Sequence, residues 1–200
     1  KPRVLVNVKN IDTSTEILPH VGRSTLPVYL SATAMGKLAH PEGEAGIVKA
    51  AAAANVVYML PTLSSCTLDE MLAARAANQV VFSQLYVNSD RAKTKEYVER
   101  LERAGVRALF VTVDAPQLGR REKDMRNKFT AQKSDVQRND DVKRDEGVTR
   151  AISSFIDPSL CWDDVAWLKS LSALPLFLKG VQCAEDAVLA FRAGCAGVVL

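Results

Sequence analysis

The sequence has few of the residues and runs that metal sites and membrane spans require. It contains two histidines and four cysteines in 200 residues, and Cys66, Cys161, Cys183 and Cys195 lack the spacing of a metal site. We interpret these cysteines as reduced, buried thiols because they stand among apolar or helical residues. No apolar run approaches the roughly 18 residues that cross a bilayer, and the first residues do not form a signal peptide. We therefore expect no metal and no membrane span.

The sequence also lacks a large excess of either sign of charge, because its formal net charge is only +3. Residues 117–150 hold ten Lys/Arg and seven Asp/Glu, so this segment accounts for the whole excess. The two signs are interleaved, as in a solvated surface segment, which argues against a nucleic-acid partner. A polar connection this long inside a compact domain is typical of a functional lid or a disordered segment.

Apolar runs alternate with helix-forming segments along most of the chain. A capping box, Thr67 to Glu70, opens one helix, and Gly105 ends another. The predicted strands are 4–8, 27–30, 56–60, 80–86, 108–113, 176–179 and 197–200, and the predicted helices are 41–55, 68–77, 91–104, 163–170 and 184–193.

This alternation predicts an α/β fold with parallel strands and right-handed crossovers. A (β/α)8 TIM barrel and an open doubly wound sheet both fit. No Gly-rich phosphate loop follows any strand, which favours the barrel over a dinucleotide-binding sheet. We expect residues 1–200 to form one incomplete barrel domain with about six of the eight βα units, and the strand at 4–8 to pack outside the sheet.

Polar side chains follow five successive predicted strands. Because the carboxyl ends of barrel strands form the active-site rim, this pattern predicts a polar ligand there. The rim residues are Ser31, Thr33, Thr62, Ser64, Gln84, Tyr86, Thr112, Asp114 and Lys179.

Several of these side chains have a structural interpretation beside the functional one. Asp114 could cap the turn at Pro116 or pair with Lys179, and Tyr86 could belong to the core. Lys179 could form a Schiff base, as in an aldolase, or stabilise negative charge on a cofactor. The hydrogen-bonding groups of Thr33, Gln84 and Thr112 suit a flat heterocycle better than a small aldehyde.

Six motifs in order give the chain a family resemblance. They are SATAMGKLAHPEGE (31–44), TLSSC (62–66), QLYVNSDR (84–91), TVDAPQLGRREKDMRNKF (112–129), IDPSLCWDDVAWL (156–168) and LKGV (178–181). Together they resemble the FMN-dependent L-2-hydroxy acid oxidase and dehydrogenase family, and the motif sequences are most similar to those of its flavocytochrome-type L-lactate dehydrogenases. The resemblance implies a (β/α)8 barrel with FMN at the C-terminal rim, and oxidation of an L-2-hydroxy acid, foremost L-lactate to pyruvate.

The resemblance also assigns roles to individual residues. Tyr86 and Arg121 would contact the substrate, Asp114 would orient the catalytic histidine, and Lys179 would act on the flavin's N1 and C2 carbonyl. The positions implied to contact the cofactor are Ala32, Thr33, Ala34, Gln84, Thr112 and Lys179.

Two features depart from the family pattern. Pro61 stands where many members have a flavin-contacting serine, and the family's catalytic histidine and a substrate arginine would follow Leu200. We therefore expect residues 1–200 by themselves to be inactive. The alternatives are a glycolate-type oxidase and a non-catalytic barrel fragment with a binding or structural role.

The resemblance further implies partners for the intact protein. These are a small 2-hydroxy acid substrate, a cytochrome as possible electron acceptor, and other copies of the chain in a tetramer. Haem would be present only with an upstream cytochrome domain. The implied location is the mitochondrial intermembrane space, the cytoplasm or the peroxisome.

Overall fold

The computed structural model of the protein describes residues 4–7, 9–19, 21–117, 119, 122–127 and 155–200. A short antiparallel pair, Thr15–Glu16 (β1) and Arg23–Ser24 (β2), comes first. A six-stranded parallel sheet follows, with its strands in sequence order. They are Tyr29–Leu30 (β3), Val57–Leu60 (β4), Val81–Leu85 (β5), Leu109–Thr112 (β6), Leu176–Lys179 (β7) and Gly197–Val199 (β8). The sheet curls into a half-barrel, which confirms the predicted incomplete TIM barrel.

Helices connect the strands and cover the outer face of the sheet. The described helices are Gly43–Ala53 (α1), Leu68–Ala73 (α2), Arg91–Arg103 (α3), Glu122–Asn127 (α4), Asp164–Ser170 (α5) and Ala184–Arg192 (α6). The predicted capping box of α2 is confirmed: the Glu70 backbone N–H donates to Thr67 Oγ1 at 3.0 Å, and the Thr67 N–H donates to the Glu70 carboxylate at 2.6 Å. No described helix is long and apolar enough to cross a bilayer.

Side chains of the strands alternate between two apolar clusters. Tyr58, Leu60 and Val81 pack outward with helix residues such as Val48. The inner cluster contains Met59, Phe82, Phe110 and Phe177. The rings of Phe110 and Phe177 stack with centroids 4.6 Å apart. Both faces of the sheet are therefore buried, which explains why its strands appear in the sequence as continuous apolar runs.

The prediction of a strand at 4–8 was wrong, since the described residues 4–7 form none. Val4 and Leu5 are fully exposed, and Leu5 has a positive φ of 59°, so this run has no surface to pack on. The β1–β2 pair was missed because two-residue strands carry no detectable periodicity.

One further expectation needs correction, and another falls mostly on residues outside the described part of the chain. Cys66 and Cys195 are buried free thiols as predicted, but Cys161 and Cys183 are exposed, because they precede helices at loop positions. The predicted lid, 117–150, lies outside the described residues except for Gln117, Gly119 and the short helix α4.

Candidate active site

Three polar side chains form one layer on the concave face of the sheet. Gln84, Thr112 and Lys179 each stand two positions after an inner-cluster phenylalanine, on β5, β6 and β7 respectively. Because side chains two apart on a strand share a face, these three lie above the phenylalanine layer at the C-terminal rim. Gln84 and Thr112 are buried and Lys179 is half-buried. Thr112 and Lys179 are direct neighbours in the sheet register. The predicted convergence of these strand ends is confirmed.

The amide of Gln84 is held in one orientation. Its Oε1 accepts a hydrogen bond from the Thr62 backbone N–H at 3.1 Å, and its Nε2 donates to Thr112 Oγ1 at 2.9 Å. The backbone donor can only face an oxygen, so the amide cannot flip. One N–H of the Gln84 amide and the Thr112 hydroxyl proton remain for a ligand.

Thr62 acts at this rim in a way that the sequence did not indicate. Its hydroxyl donates to the Gln84 carbonyl at 2.6 Å and accepts from the Tyr86 backbone N–H at 3.1 Å. These bonds extend the β4–β5 pairing beyond the end of β4. Pro61, two positions after the inner-cluster Met59, continues the same face but offers no donor. The family serine that Pro61 replaces therefore has no equivalent side chain at that position.

Asp114 continues the inward alternation of β6 beyond Thr112 and is exposed at the rim. A Cβ at Gly180, just after β7, would lie 2.4 Å from Asp114 Cγ. Gly180 also has φ +101°, so the close approach of Asp114 requires glycine here. Among the described residues, no ion pair joins Asp114 to Lys179, so the suggested structural pairing is absent.

Tyr86 follows Gln84 on the same side of its strand and is half-buried. It packs against Leu63, Phe155 and Ile156. The last two of these contacts come from the chain that returns after residue 154: Asn88 forms a bridge with Ile156, and the Asp157 N–H donates to the Val87 carbonyl at 2.9 Å. Tyr86 is thus both core and rim. Arg121, the other implied substrate contact, lies outside the described residues.

The turn after β3 presents small side chains to the rim. Ala32 is half-buried against the inner cluster, and Thr33 and Ala34 are exposed. The turn ends in a 3-10 turn at Gly36–Leu38. Small residues in this turn leave room for a flat group above the inner cluster.

Arg91, the first residue of α3, joins this helix by ion pairs to the chain that follows residue 154. Its Nη2 lies 2.6 Å from Asp157 Oδ2 and 3.2 Å from Asp164 Oδ1. Its guanidinium also lies over the Trp167 ring, 4.6 Å from the centroid. Burial alone would raise the pKa of Asp157, but hydrogen bonds from Ser159 and the charge of Arg91 outweigh it and lower that pKa.

Two cavities flank the rim on its helix side. One of about 600 Å³ opens behind Asp114, between the ends of β6 and β7 and helix α5, and includes Cys161 and Trp162 in its lining. The other, of about 380 Å³, lies between α2 and α3 and reaches Tyr86. Gln84 and Lys179 line neither cavity, whereas Thr112 lines the first one. The first cavity therefore reaches the polar layer at the end of β6.

The donors of the polar layer fit the FMN that the resemblance implies. The pyrimidine edge of a flavin presents carbonyl oxygens and a ring nitrogen, which accept hydrogen bonds. Gln84, Thr112 and Lys179 present an amide N–H, a hydroxyl and an ammonium group in one layer. The small side chains of Ala32 and Ala34 follow β3 at the same end of the sheet, with β4 between β3 and β5. Within the described part of the chain, no cluster of His, Cys, Asp and Glu could hold a metal ion.

Comparisons with known proteins agree with this geometry. The L-lactate dehydrogenase (cytochrome) of Wickerhamomyces anomalus is 51% identical over 200 residues, covering 100% of this chain and 34% of that protein. The glycolate oxidase of Spinacia oleracea is 39% identical over 208 residues, covering 100% of this chain and 55% of that protein.

Solved structures give the same result. The flavin-binding domain of baker's yeast flavocytochrome b2 superposes with a TM-score of 0.84 at 43% identity, over 100% of this chain and 47% of that one. Mandelate oxidase superposes with a TM-score of 0.83 at 32% identity, over 99% of this chain and 55% of that one.

The chain spans between a third and somewhat over half of the length of these relatives. The family model described as FMN-dependent dehydrogenase matches residues 1–200. The chain therefore belongs to the FMN-dependent dehydrogenase family.

Proposed function

We propose that the protein that carries this chain is an FMN-dependent dehydrogenase of L-2-hydroxy acids, with L-lactate as its substrate and pyruvate as its product. The observation that carries the proposal is the single layer of Gln84, Thr112 and Lys179 above the stacked phenylalanines. The family match and the high identity to an L-lactate dehydrogenase (cytochrome) support it.

The polar layer binds and orients the cofactor. FMN, when bound, supplies a two-electron acceptor for the hydrogen removed from the substrate carbon. Gln84 and Thr112 bind its pyrimidine edge through neutral donors whose positions the Thr62 bond fixes. Lys179 supplies a positive charge next to that edge, where negative charge develops during the reaction. Ala32, Thr33 and Ala34, in the turn after β3, line the cofactor.

The residues one step further out act on the substrate. Tyr86 lies above Gln84, where its ring and hydroxyl can contact the hydroxy acid, and Arg121 is the proposed partner of the substrate carboxylate, as the family resemblance implies. Asp114 orients a basic residue supplied from outside residues 1–200 and stabilises that base once it holds the substrate proton. In this proposal Asp114 and Lys179 are the catalytic groups of this chain.

The test is anaerobic addition of L-lactate to the purified, flavin-loaded protein while its visible absorbance is followed. We expect L-lactate, and not D-lactate, to bleach the flavin. A Lys179→Met variant is expected to retain the fold and lose bleaching, because it keeps the stem and removes the charge. Rapid bleaching by the Lys179→Met protein would remove Lys179 from the mechanism.

A glycolate-type oxidase is the second candidate, since the spinach glycolate oxidase is 39% identical. The two candidates differ in substrate and electron acceptor. A dehydrogenase reduces a cytochrome faster than it consumes oxygen, whereas an oxidase releases hydrogen peroxide. Parallel assays of cytochrome c reduction and peroxide formation, with L-lactate and with glycolate, distinguish them. For the L-lactate dehydrogenase we propose a mitochondrial location and a tetramer. For the glycolate-type oxidase we propose a peroxisomal location.

A further inference from the structure

Glu44 is a buried carboxylate at the start of α1. Its side chain is 0% exposed, and among the described residues no lysine or arginine pairs with it. Burial alone would raise the pKa of Glu44, but hydrogen bonds from Gly36 and Ser65 outweigh it and lower that pKa. Glu44 is therefore a buried anion held by neutral donors.

Four hydrogen bonds satisfy the two oxygens of Glu44. Oε1 accepts from the Gly36 N–H at 2.7 Å and the Ser65 N–H at 3.0 Å. Oε2 accepts from Ser65 Oγ at 2.7 Å and the Cys66 N–H at 3.0 Å. Each oxygen accepts from two donors. In a glutamine, the NH2 group would replace one of these oxygens and would therefore face two donors. Only a carboxylate accepts all four bonds.

These bonds join two loops at the rim of the sheet. Gly36 ends the Ala32–Ala34 turn after β3, and Ser65 and Cys66 end the loop after β4. The two loops also share a direct hydrogen bond, which the Lys37 N–H donates to Ser65 Oγ at 2.8 Å. The packing is close, because a Cβ at Gly43, where φ is +54°, would lie 2.7 Å from Lys37 Cγ.

We propose that Glu44 is a positioning residue for the cofactor: its buried charge holds the Ala32–Ala34 turn against the β4 loop and so sets the backbone that faces the flavin. This inference rests on the proposed FMN site. It assigns Glu44 no contact with the flavin or the substrate. The role requires a carboxylate in the α1 first turn, donors in both loops and complete burial, all of which are present.

The experiment uses the intact protein that carries this chain, stripped of flavin and reloaded with FMN. Four variants are compared with the wild type: Glu44→Gln, Ser65→Ala, Glu42→Gln and Val48→Ala. Ser65→Ala removes one donor and is the milder test if Glu44→Gln does not fold. Glu42 is the matched exposed acid, paired with Lys49 at 2.9 Å. Val48, 0% exposed, is a core residue of the same helix whose side chain forms no hydrogen bond to either loop, so Val48→Ala lowers stability and leaves the Glu44 hydrogen bonds in place.

The readouts are the FMN dissociation constant and the visible circular dichroism of the bound flavin, both measured well below each variant's melting temperature. We expect Glu44→Gln to weaken FMN binding about tenfold or more and to change the dichroism, with Ser65→Ala intermediate. Glu42→Gln and Val48→Ala should match the wild type in both readouts.

Equal losses of FMN affinity in Glu44→Gln and Val48→Ala would show a general effect of stability and overturn the positioning role. Wild-type affinity and dichroism in Glu44→Gln, or in Ser65→Ala if the former does not fold, would overturn it as well. A wild-type protein that binds no FMN would instead refute the proposed function, and this inference with it.

Discussion

At the scale of single residues, the polar layer depends on groups that fix one another. Gln84 can present an N–H to a ligand only because the Thr62 backbone holds its Oε1 at 3.1 Å. Buried polar groups in such a network are costly to leave unpaired, since each forfeits its interaction with water. The side chains proposed to bind the flavin edge are thus already held in place by hydrogen bonds to the protein.

Replacing Gln84 with leucine tests this network. The Gln84→Leu variant leaves the Thr62 N–H without its acceptor and should lose about 1–3 kcal/mol of unfolding free energy. FMN binding should weaken about tenfold or more, because two edge donors are disturbed. Urea unfolding and flavin fluorescence titration measure the two effects. Ser83→Ala is the control, since Ser83 is equally buried and donates to the Gln84 carbonyl from the opposite face. Unchanged FMN affinity in Gln84→Leu would contradict the assignment.

Gly180 gives a second prediction at this scale. A Gly180→Ala side chain would lie 2.4 Å from Asp114 Cγ at a φ of +101°, so the variant should lose about 1–3 kcal/mol of stability. Displacement of Asp114 should also lower kcat at least about tenfold. Gly105→Ala is the control for backbone strain, because Gly105 has φ +73° but no atom within 4 Å of the new Cβ. If both variants keep wild-type kcat, Gly180 does not position Asp114.

Some residue roles could be predicted from the sequence and others could not. Gln84, Thr112 and Lys179 were predictable because each follows an apolar run, and the period of two places them on one face. The link from Thr62 to Gln84 depends on the sheet register, which no local pattern encodes. The hydrogen bonds of Glu44 to two loops were not predictable, because an acid in a first helical turn already has an ordinary explanation.

At the scale of elements, helix α3 and the chain returning after residue 154 depend on Arg91. Removing this guanidinium in Arg91→Met leaves Asp157, 6% exposed, without its ion pair. Since Arg91 is itself partly exposed, the expected loss is about 2 kcal/mol, between values for surface and buried pairs. Arg100→Met, on the same helix, removes an exposed pair with Asp69 and should lose about 0.5 kcal/mol or less.

The effect of Arg91→Met should depend on pH. The pKa of Asp157 is lowered in the folded protein, so its ionisation stabilises the fold above its unfolded pKa, about 3.9. This stability is lost as the pH falls through the lower folded value. The difference between wild type and Arg91→Met should therefore be full at neutral pH and shrink on acidification below about pH 4. Urea unfolding across that range measures it, and a difference that stays constant would exclude the Arg91–Asp157 pair as its source.

The order of the elements followed from hydropathy and capping signals; both ends of β7 were predicted correctly, and the ends of the other predicted elements differ by at most four residues. The start of α2 and both ends of α3 were predicted to within one residue, because periodicity and the Thr67–Glu70 box are local, whereas α2 ends four residues earlier than predicted. The β1–β2 pair forms against distant chain: the Thr25 N–H donates to the Asn55 carbonyl at 3.1 Å. Such contacts between residues far apart in sequence leave no local signature.

At the scale of the whole molecule, the half-barrel has an uncovered side. Helix α6 exposes Phe191 at 80% and Val188 at 48%, and β8 pairs with β7 along one edge only. Exposed strand edges and apolar patches favour association. The fold class was predictable from the alternation of strands and helices.

A polypeptide of residues 1–200 produced alone is therefore expected to self-associate and to show no lactate-dependent bleaching of added FMN, since the basic residue that Asp114 would serve is not among them. Size-exclusion chromatography with light scattering and an anaerobic spectrum measure the two properties. A monodisperse monomer that bleaches FMN with L-lactate would contradict both expectations.

The central claim is that the Gln84–Thr112–Lys179 layer binds FMN in an enzyme that oxidises L-2-hydroxy acids. The most direct test is the anaerobic visible spectrum of the intact, FMN-loaded protein on titration with L-lactate, beside Gln84→Leu under the same conditions. We expect L-lactate to bleach the flavin of the wild type stoichiometrically, and we expect Gln84→Leu to bind less FMN. A wild-type protein that binds no FMN, or binds FMN that neither L-lactate nor glycolate bleaches, would contradict it.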